Sequence, residues 1–183
     1  PDNAILVVAV AVDPEEVKRL AKQYYGAIPA KNLTSRHRVK EPPQIAARRL
    51  KMESGQVGQA SWSRRYRAPS YQYGKTQHVF ALQVLSEIIG GGTTSRLYQS
   101  MVVEKKLGVA AGSWYRAENI GPSVFGFYAS PQDGVSIDVL EDGVDREIYL
   151  VLKDGVTQVE IDAAKIRLQR SAIFAKDSVT APA

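Results

Sequence analysis

Seven consecutive residues, Gly90, Gly91, Gly92, Thr93, Thr94, Ser95 and Arg96, join three glycines to three hydroxyls and a guanidinium. Such a stretch can cradle a phosphate, break a helix, or offer backbone groups and a cation to a ligand. The phosphate reading fails on context. A P-loop runs strand, GxxxxGK[ST], helix, whereas a helical pattern precedes these glycines and no lysine follows in register. A dinucleotide fingerprint fails for the same reason. A helix break needs one glycine, with Gly90 in the left-handed position beyond the helix end and Ser95 as N-cap of the next helix. Three glycines predict a mobile loop, and mobile loops on rigid scaffolds are where ligands are met. Hinge and ligand-contact loop are the two readings left open for 90–96.

Other chemistry-bearing residues are few. The chain has two histidines, His37 and His78, and no cysteine. A catalytic zinc needs three protein ligands and a water. These histidines stand far apart with no partnering pattern, so each reads as a surface or helix-end residue. The absence of cysteine removes disulfides and thiolate metal sites. The net charge is +5. Residues 1–75 hold 14 Lys and Arg against 6 Asp and Glu, a balance of +8, while residues 76–183 hold 10 against 13, a balance of −3. The excess centres on Arg36, Arg38, Lys40, Arg48, Arg49 and Lys51, then on Arg64, Arg65 and Arg67. A nucleic-acid module would bind DNA with strong salt dependence. No such motif accompanies the charge and no stacking aromatics cluster with it, so it reads as a solvated linker followed by an exposed strand face. No apolar run reaches the roughly 18 residues of a membrane span.

The elements follow from periodicity. Residues 4–12, AILVVAVAV, read as a strand buried on both faces. Asp13-Pro14 starts a helix, with Glu15 and Glu16 in its first turn, and Gly26 ends it. Residues 27–55, broken by Pro29, Pro42 and Pro43, read as an extended connector. From Val57 the pattern alternates, placing Ala60, Trp62, Arg64 and Tyr66 on one strand face. Residues 76–89 and 95–106 carry helical spacing, the second with Leu97 and Met101 inward. Strands follow at 109–115 and 123–130. A helix from about 134 to 153 holds Gly143 as a weak spot of about 1 kcal/mol. A last helix from 157 to about 176 opens on a Thr157–Glu160 capping box. This order predicts an α+β fold: a two-layer sandwich, mostly antiparallel or mixed, with helices on one sheet face. The organisation reads as a strand–helix lead-in (1–26), the connector (27–55) and a main body (56–177). The start at Pro1 reads as a piece of a longer protein.

GGGTTSRLYQSMVVEKKLGVAAGSWY (90–115) resembles the second-domain signature of the pitrilysin/insulinase family of zinc metallopeptidases, the inverzincins. Residues 1–30 resemble the strand–helix unit ahead of that domain, and APSY (68–71) and LKDGVTQVEIDAAK (152–165) resemble further family segments in order. The family carries a Gly-Asp pair where this chain has Val10-Ala11, which implies a strand running one or two residues further. The family's zinc motif, H-x-x-E-H, is absent. The resemblance therefore implies a single C-terminal-type domain over 1–183 without catalytic residues or metal, the parent's zinc lying outside it. The family's Arg…Tyr pair, seven apart, falls on Val102 and Val109, neither of which can donate. By resemblance the chain would help wall a peptide-binding chamber, with 90–96 as a loop lining it or a hinge. Trp62, Trp114 and Tyr115 read as core or interface aromatics. Implied partners are a peptide or protein substrate, the preceding zinc-motif domain, and a second half-molecule in a dimeric assembly, with no nucleic acid. A structural or chaperone-like relative is the alternative. The compartment stays open, the bacterial periplasm being favoured over the cytoplasm.

Overall fold

Alternating sequence becomes sheet only where neighbouring strands satisfy its backbone groups. The computed structural model describes residues 4–29, 42 and 44–177. Its strands are β1 (Trp62–Ala68), β2 (Gly108–Tyr115) and β3 (Ser123–Pro131), in the order β1-β3-β2. Both pairings are antiparallel, with Arg64 opposite Phe127 and Tyr66 opposite Phe125 on one side of β3, and Gly112 opposite Tyr128 and Trp114 opposite Gly126 on the other. The sheet among the described residues is thus wholly antiparallel. The helices are α1 (Pro14–Tyr25), α2 (Val79–Gly90), α3 (Arg96–Tyr98), α4 (Ile137–Asp154) and α5 (Gln158–Ala175). A single 3-10 turn, Thr76–His78, leads into α2, and α3 runs on into a π-helical turn, Gln99–Glu104.

Period two and period 3.6 meet at one core. Ala111, Phe125, Phe127 and Ala129 project from one sheet face against Ile89 of α2, Leu97 of α3, Met101, and Leu140 and Val144 of α4. Leu97 and Met101 are fully buried, as their spacing predicts. The expected α+β layering holds, with these helices on one face of an antiparallel sheet. Ser136 caps α4, its Oγ accepting from Val139 N at 3.3 Å. Thr157 and Glu160 form the expected capping box: Glu160 Oε2 accepts from Thr157 N at 2.7 Å, and Thr157 Oγ1 accepts from Glu160 N at 3.3 Å. Gly143 has a packing reason. A Cβ there would stand 2.9 Å from Met101 Sδ and 3.0 Å from Leu107 Cδ1, so the missing methyl lets α4 approach the π-helical turn closely.

One helix-facing position of β1 is an arginine. Arg64 lies over the Trp62 ring at 5.1 Å. Its guanidinium pairs with Asp145 and, at 2.5 Å, with the buried carboxylate of Glu141 on α4. Burial works against the Arg64 charge, but hydrogen bonds to Asp145, Tyr66 and Glu141 outweigh it and hold the guanidinium above its ordinary pKa.

The opposite sheet face is built from glycines and flat rings. Ser63, Arg65 and Arg67 share it with Val124, Gly126 and Tyr128 and with Gly112 and Trp114, because directly opposed residues lie on one face. A Cβ on Gly126 would fall 2.6 Å from Trp114 Cζ2, and one on Gly112 would fall 2.6 Å from the Tyr128 hydroxyl. Each aromatic therefore lies across its partner's glycine and covers backbone that the glycine leaves bare.

The described chain separates into two compact units, one comprising Glu53–Ser171 and the other the described residues on either side of it. In the second unit Asp13 caps α1, its carboxylate accepting from Glu15 N at 3.0 Å, with Pro14 in the first turn. The reading of residues 4–12 as a doubly buried strand is corrected. Among the described residues no ladder includes them, residues 10–12 bend instead of extending a strand, and Ile5, Leu6, Val7, Val8, Val10 and Val12 are exposed. Valine-rich sequence favours extended backbone, but a strand needs a partner, and among the described residues none is paired with this run. Such a run is a strand-pairing hazard. Val8→Lys with Val10→Lys is expected to reduce the self-associated fraction of the chain by at least about half, measured by light scattering across a concentration series.

Candidate functional site

Each glycine of 90–96 is held to a different task. α2 runs through Gly90, which is buried. A Cβ on Gly90 would lie 2.5 Å from the Gly112 carbonyl carbon and 2.7 Å from Ser113 Cα, with Ser113 N nearer still. Gly90 thus lets the end of α2 touch the backbone of β2, and Ser113 Oγ fixes the approach by donating to Ser86 O at 2.9 Å. Gly91 is the helix cap, φ −79°, and a Cβ on it would collide with the Glu87 carboxylate. Gly92 alone is left-handed, φ 128°, in open space. The expectation that Gly90 takes the left-handed position is corrected: the helix continues one residue further because β2 needs the close approach there.

Bonds from the next helix hold the loop. Ser95 is buried, and its hydroxyl donates to Gly92 O at 2.7 Å. Its amide donates to the same oxygen at 3.1 Å; Ser95 stands at the N-cap position of α3, but its side chain makes no capping bond there and secures the loop instead. Gln99 Nε2 donates to Thr93 O at 2.6 Å. Thr93 and Thr94 are exposed.

Ion pairs flank the loop on both sides. Arg96 grips Glu160 at the start of α5 with two parallel bonds, Nε to Oε1 at 2.6 Å and Nη2 to Oε2 at 2.7 Å. Arg167 of α5 donates to Glu87 of α2 at 2.6 Å. Bidentate arginine–carboxylate pairs are short and orientation-specific. Arg96 therefore joins the loop to the α5 capping box. Sequence flagged Arg96 and the capping box separately; nothing in the spacing links residues this far apart. Beyond the loop, burial pushes Glu147 up, but hydrogen bonds from Lys105 and Ser100 outweigh it and leave its carboxyl below the usual range.

The Arg96 hydrogen bond, helped by those from Thr157 against modest burial, holds the Glu160 carboxyl at about 2. A depressed folded pKa contributes stability above the unfolded value, 4.5, and that contribution is lost as pH falls from there toward about 2. Arg96→Gln is therefore expected to cost about 1 kcal/mol at neutral pH, discounted for partial solvent screening. The gap between variant and parent should close as the pH approaches the folded pKa. Urea midpoints of both proteins across the acid range check it.

The described residues do not fit zinc. His78 is exposed at the 3-10 turn before α2, and His37 lies outside the described residues, as do Arg36, Arg38 and Lys40. Among the described residues no three His, Asp or Glu side chains are grouped to hold a metal ion. Val102 packs against the core and Val109 is half exposed on β2. Trp62 and Tyr115 pack against the core, Tyr115 donating to Pro69 O at 2.5 Å, while Trp114 lies on the opposite sheet face. No described helix is long and apolar enough to cross a membrane.

Residues 1–168 match the family model described as the peptidase M16 inactive domain. Over 170 residues the chain is 29% identical to a Helicobacter pylori protein named zinc protease PqqE, covering 91% of this chain and 37% of that protein. The crystal structure of a protease from Helicobacter pylori superposes with a TM-score of 0.81 at 24% identity, over 93% of this chain and 40% of that one. A peptidase M16 inactive domain from Pseudomonas fluorescens superposes with a TM-score of 0.52 at 24% identity, over 62% of this chain and 26% of that one. The chain thus spans about two fifths of the length of the Helicobacter pylori proteins it resembles.

Proposed function

Because the chain belongs to the peptidase M16 inactive-domain family, we propose that it is the non-catalytic second domain of a pitrilysin/insulinase-type zinc endopeptidase and helps wall the chamber that receives peptide. The observation that carries this reading is a family match over 1–168 in a chain with neither the H-x-x-E-H motif nor a donor at Val102 or Val109. Zinc held elsewhere in the parent protein would supply an activated water for peptide hydrolysis. This chain's own residues supply no step of that reaction; they shape and hold the wall.

The loop 90–96 serves in this proposal as the rim or hinge of the chamber. Its helix-end glycines, its exposed Thr93 and Thr94, and its anchorage through Arg96 to α5 support that role. Gly91→Pro in the complete protein is expected to lower peptide turnover about tenfold through misplacement of the loop. Unchanged turnover would remove the loop from function.

The test of the main reading has two arms. The 183-residue chain alone, dialysed after loading with zinc, is expected to retain no stoichiometric metal by elemental analysis and to leave casein intact. The full-length protein is expected to retain zinc and cleave casein. A full-length protein that does neither supports the structural or chaperone-like alternative, which the missing Val102 and Val109 donors also fit.

A further inference from the structure

The sheet face away from the core carries an arrangement that the wall role leaves unused. Arg65 on β1 and Trp114 on β2 face each other across Gly126, which has no side chain to separate them. The Arg65 guanidinium lies 5.9 Å from the Trp114 ring centroid, and that of Arg116 lies 5.2 Å from it. Like charges brought to one ring repel, and the ring quadrupole offsets that repulsion. Both arginines are exposed, as is Tyr128 one row away. None of the strand positions on this face is acidic. The face is therefore cationic, flat and ordered by an indole fixed against backbone.

We propose that this face binds acidic peptide segments, with Arg65 and Arg116 as paired carboxylate receptors oriented by Trp114. Guanidinium forks match carboxylates bidentately. Stacking limits the directions in which the forks point, so less side-chain freedom is lost when a ligand engages. A nucleic-acid base is a poorer fit: one side of the indole lies on Gly126 and guanidiniums lie over the ring, so no bare stacking platform remains. The inference rests on the proposed function only for naming acidic peptides as substrates; binding itself is a property of this chain.

The test is fluorescence anisotropy with the 183-residue chain and a labelled decapeptide rich in Asp and Glu. Its Asn/Gln counterpart and an oligo-dT of equal length serve as comparisons. The acidic peptide is expected to bind at least about tenfold more tightly than the amide counterpart at low salt and to weaken as salt screens the contacts. Arg65→Gln with Arg116→Gln should abolish that preference while leaving far-UV circular dichroism and the urea midpoint unchanged. Lys153→Gln with Lys165→Gln, which removes equal charge elsewhere, should leave it intact. Equal affinity for both peptides, equal losses in the two double variants, or tighter binding of oligo-dT would each overturn the proposal. A full-length protein that cleaves nothing, beside a chain that still selects the acidic peptide, would sink the peptidase reading and leave this inference standing. Cleavage without selection would do the reverse.

Discussion

Gly90→Ala is expected to destabilise the chain by about 3 kcal/mol or more, against about 1 kcal/mol for Gly92→Ala two residues later. The two glycines differ in what a methyl would meet. At Gly90 every near neighbour is β2 backbone, with Gly112 C at 2.5 Å and Ser113 Cα at 2.7 Å. Backbone paired into a sheet cannot swing aside as a side chain can. Either α2 retreats and opens space beside Ile89 and Ala111, or β2 is displaced from β3. At Gly92 the space is empty, and the cost is only the strain of a left-handed φ, 128°, on an L-residue. Gly91→Ala should fall between them. Its nearest obstacle is the Glu87 carboxylate, the end of a flexible side chain, but moving it releases Arg167, and Glu87 O at 2.7 Å still stands close. Urea midpoints of the three variants check the order. A Gly90 variant as stable as the Gly92 variant would mean that α2 does not need its close contact with β2.

The same loop marks what sequence can and cannot disclose. The helix break was visible in the glycines themselves, and Leu97 and Met101 fell where helical spacing put them, whereas Ser95 takes the N-cap position without a capping bond from its side chain. The choice among the glycines was not visible, because it depends on where β2 passes, and β2 begins beyond an intervening helical stretch. The capping box of Thr157 and Glu160 is a local pattern and could be read directly. Its grip on Arg96 is a tertiary fact with no local signature. Residues 4–12 show the opposite failure. Their valine-rich composition reports a preference for extended backbone, and preference alone supplies no neighbouring strand. On β1, period two placed Trp62, Arg64 and Tyr66 on one face correctly, yet gave no hint that Arg64 points toward carboxylates on α4. Trp114 was legible as an aromatic with a structural role; that it rests on Gly126 beside Arg65 required the register of three strands.

Arg64→Leu is expected to cost about 3 kcal/mol, and Arg64→Leu with Glu141→Leu to recover at least half of that. Glu141 is only 7% exposed, so its carboxylate has surrendered most of its hydration, and the guanidinium 2.5 Å away offsets part of that loss. Removing Arg64 leaves that charge in place without this partner. It also strips the stem and guanidinium from the Trp62 ring, so packing is lost along with charge. Removing both charges converts the site to apolar packing between β1 and α4, where leucines can fill part of the volume. Asp145, with 44% of its side chain exposed, returns to solvent at little cost. The comparison pair is Lys105 with Glu147, whose lysine is 39% exposed; Lys105→Gln should cost no more than about 1 kcal/mol, since Ser100 continues to donate to Glu147 at 2.7 Å. A double-mutant cycle by urea unfolding measures the coupling directly. Additive losses for Arg64 and Glu141 would show that the ion pair contributes nothing beyond its packing, whereas a coupling of about 2 kcal/mol would make it the polar tie between α4 and the edge strand of the sheet.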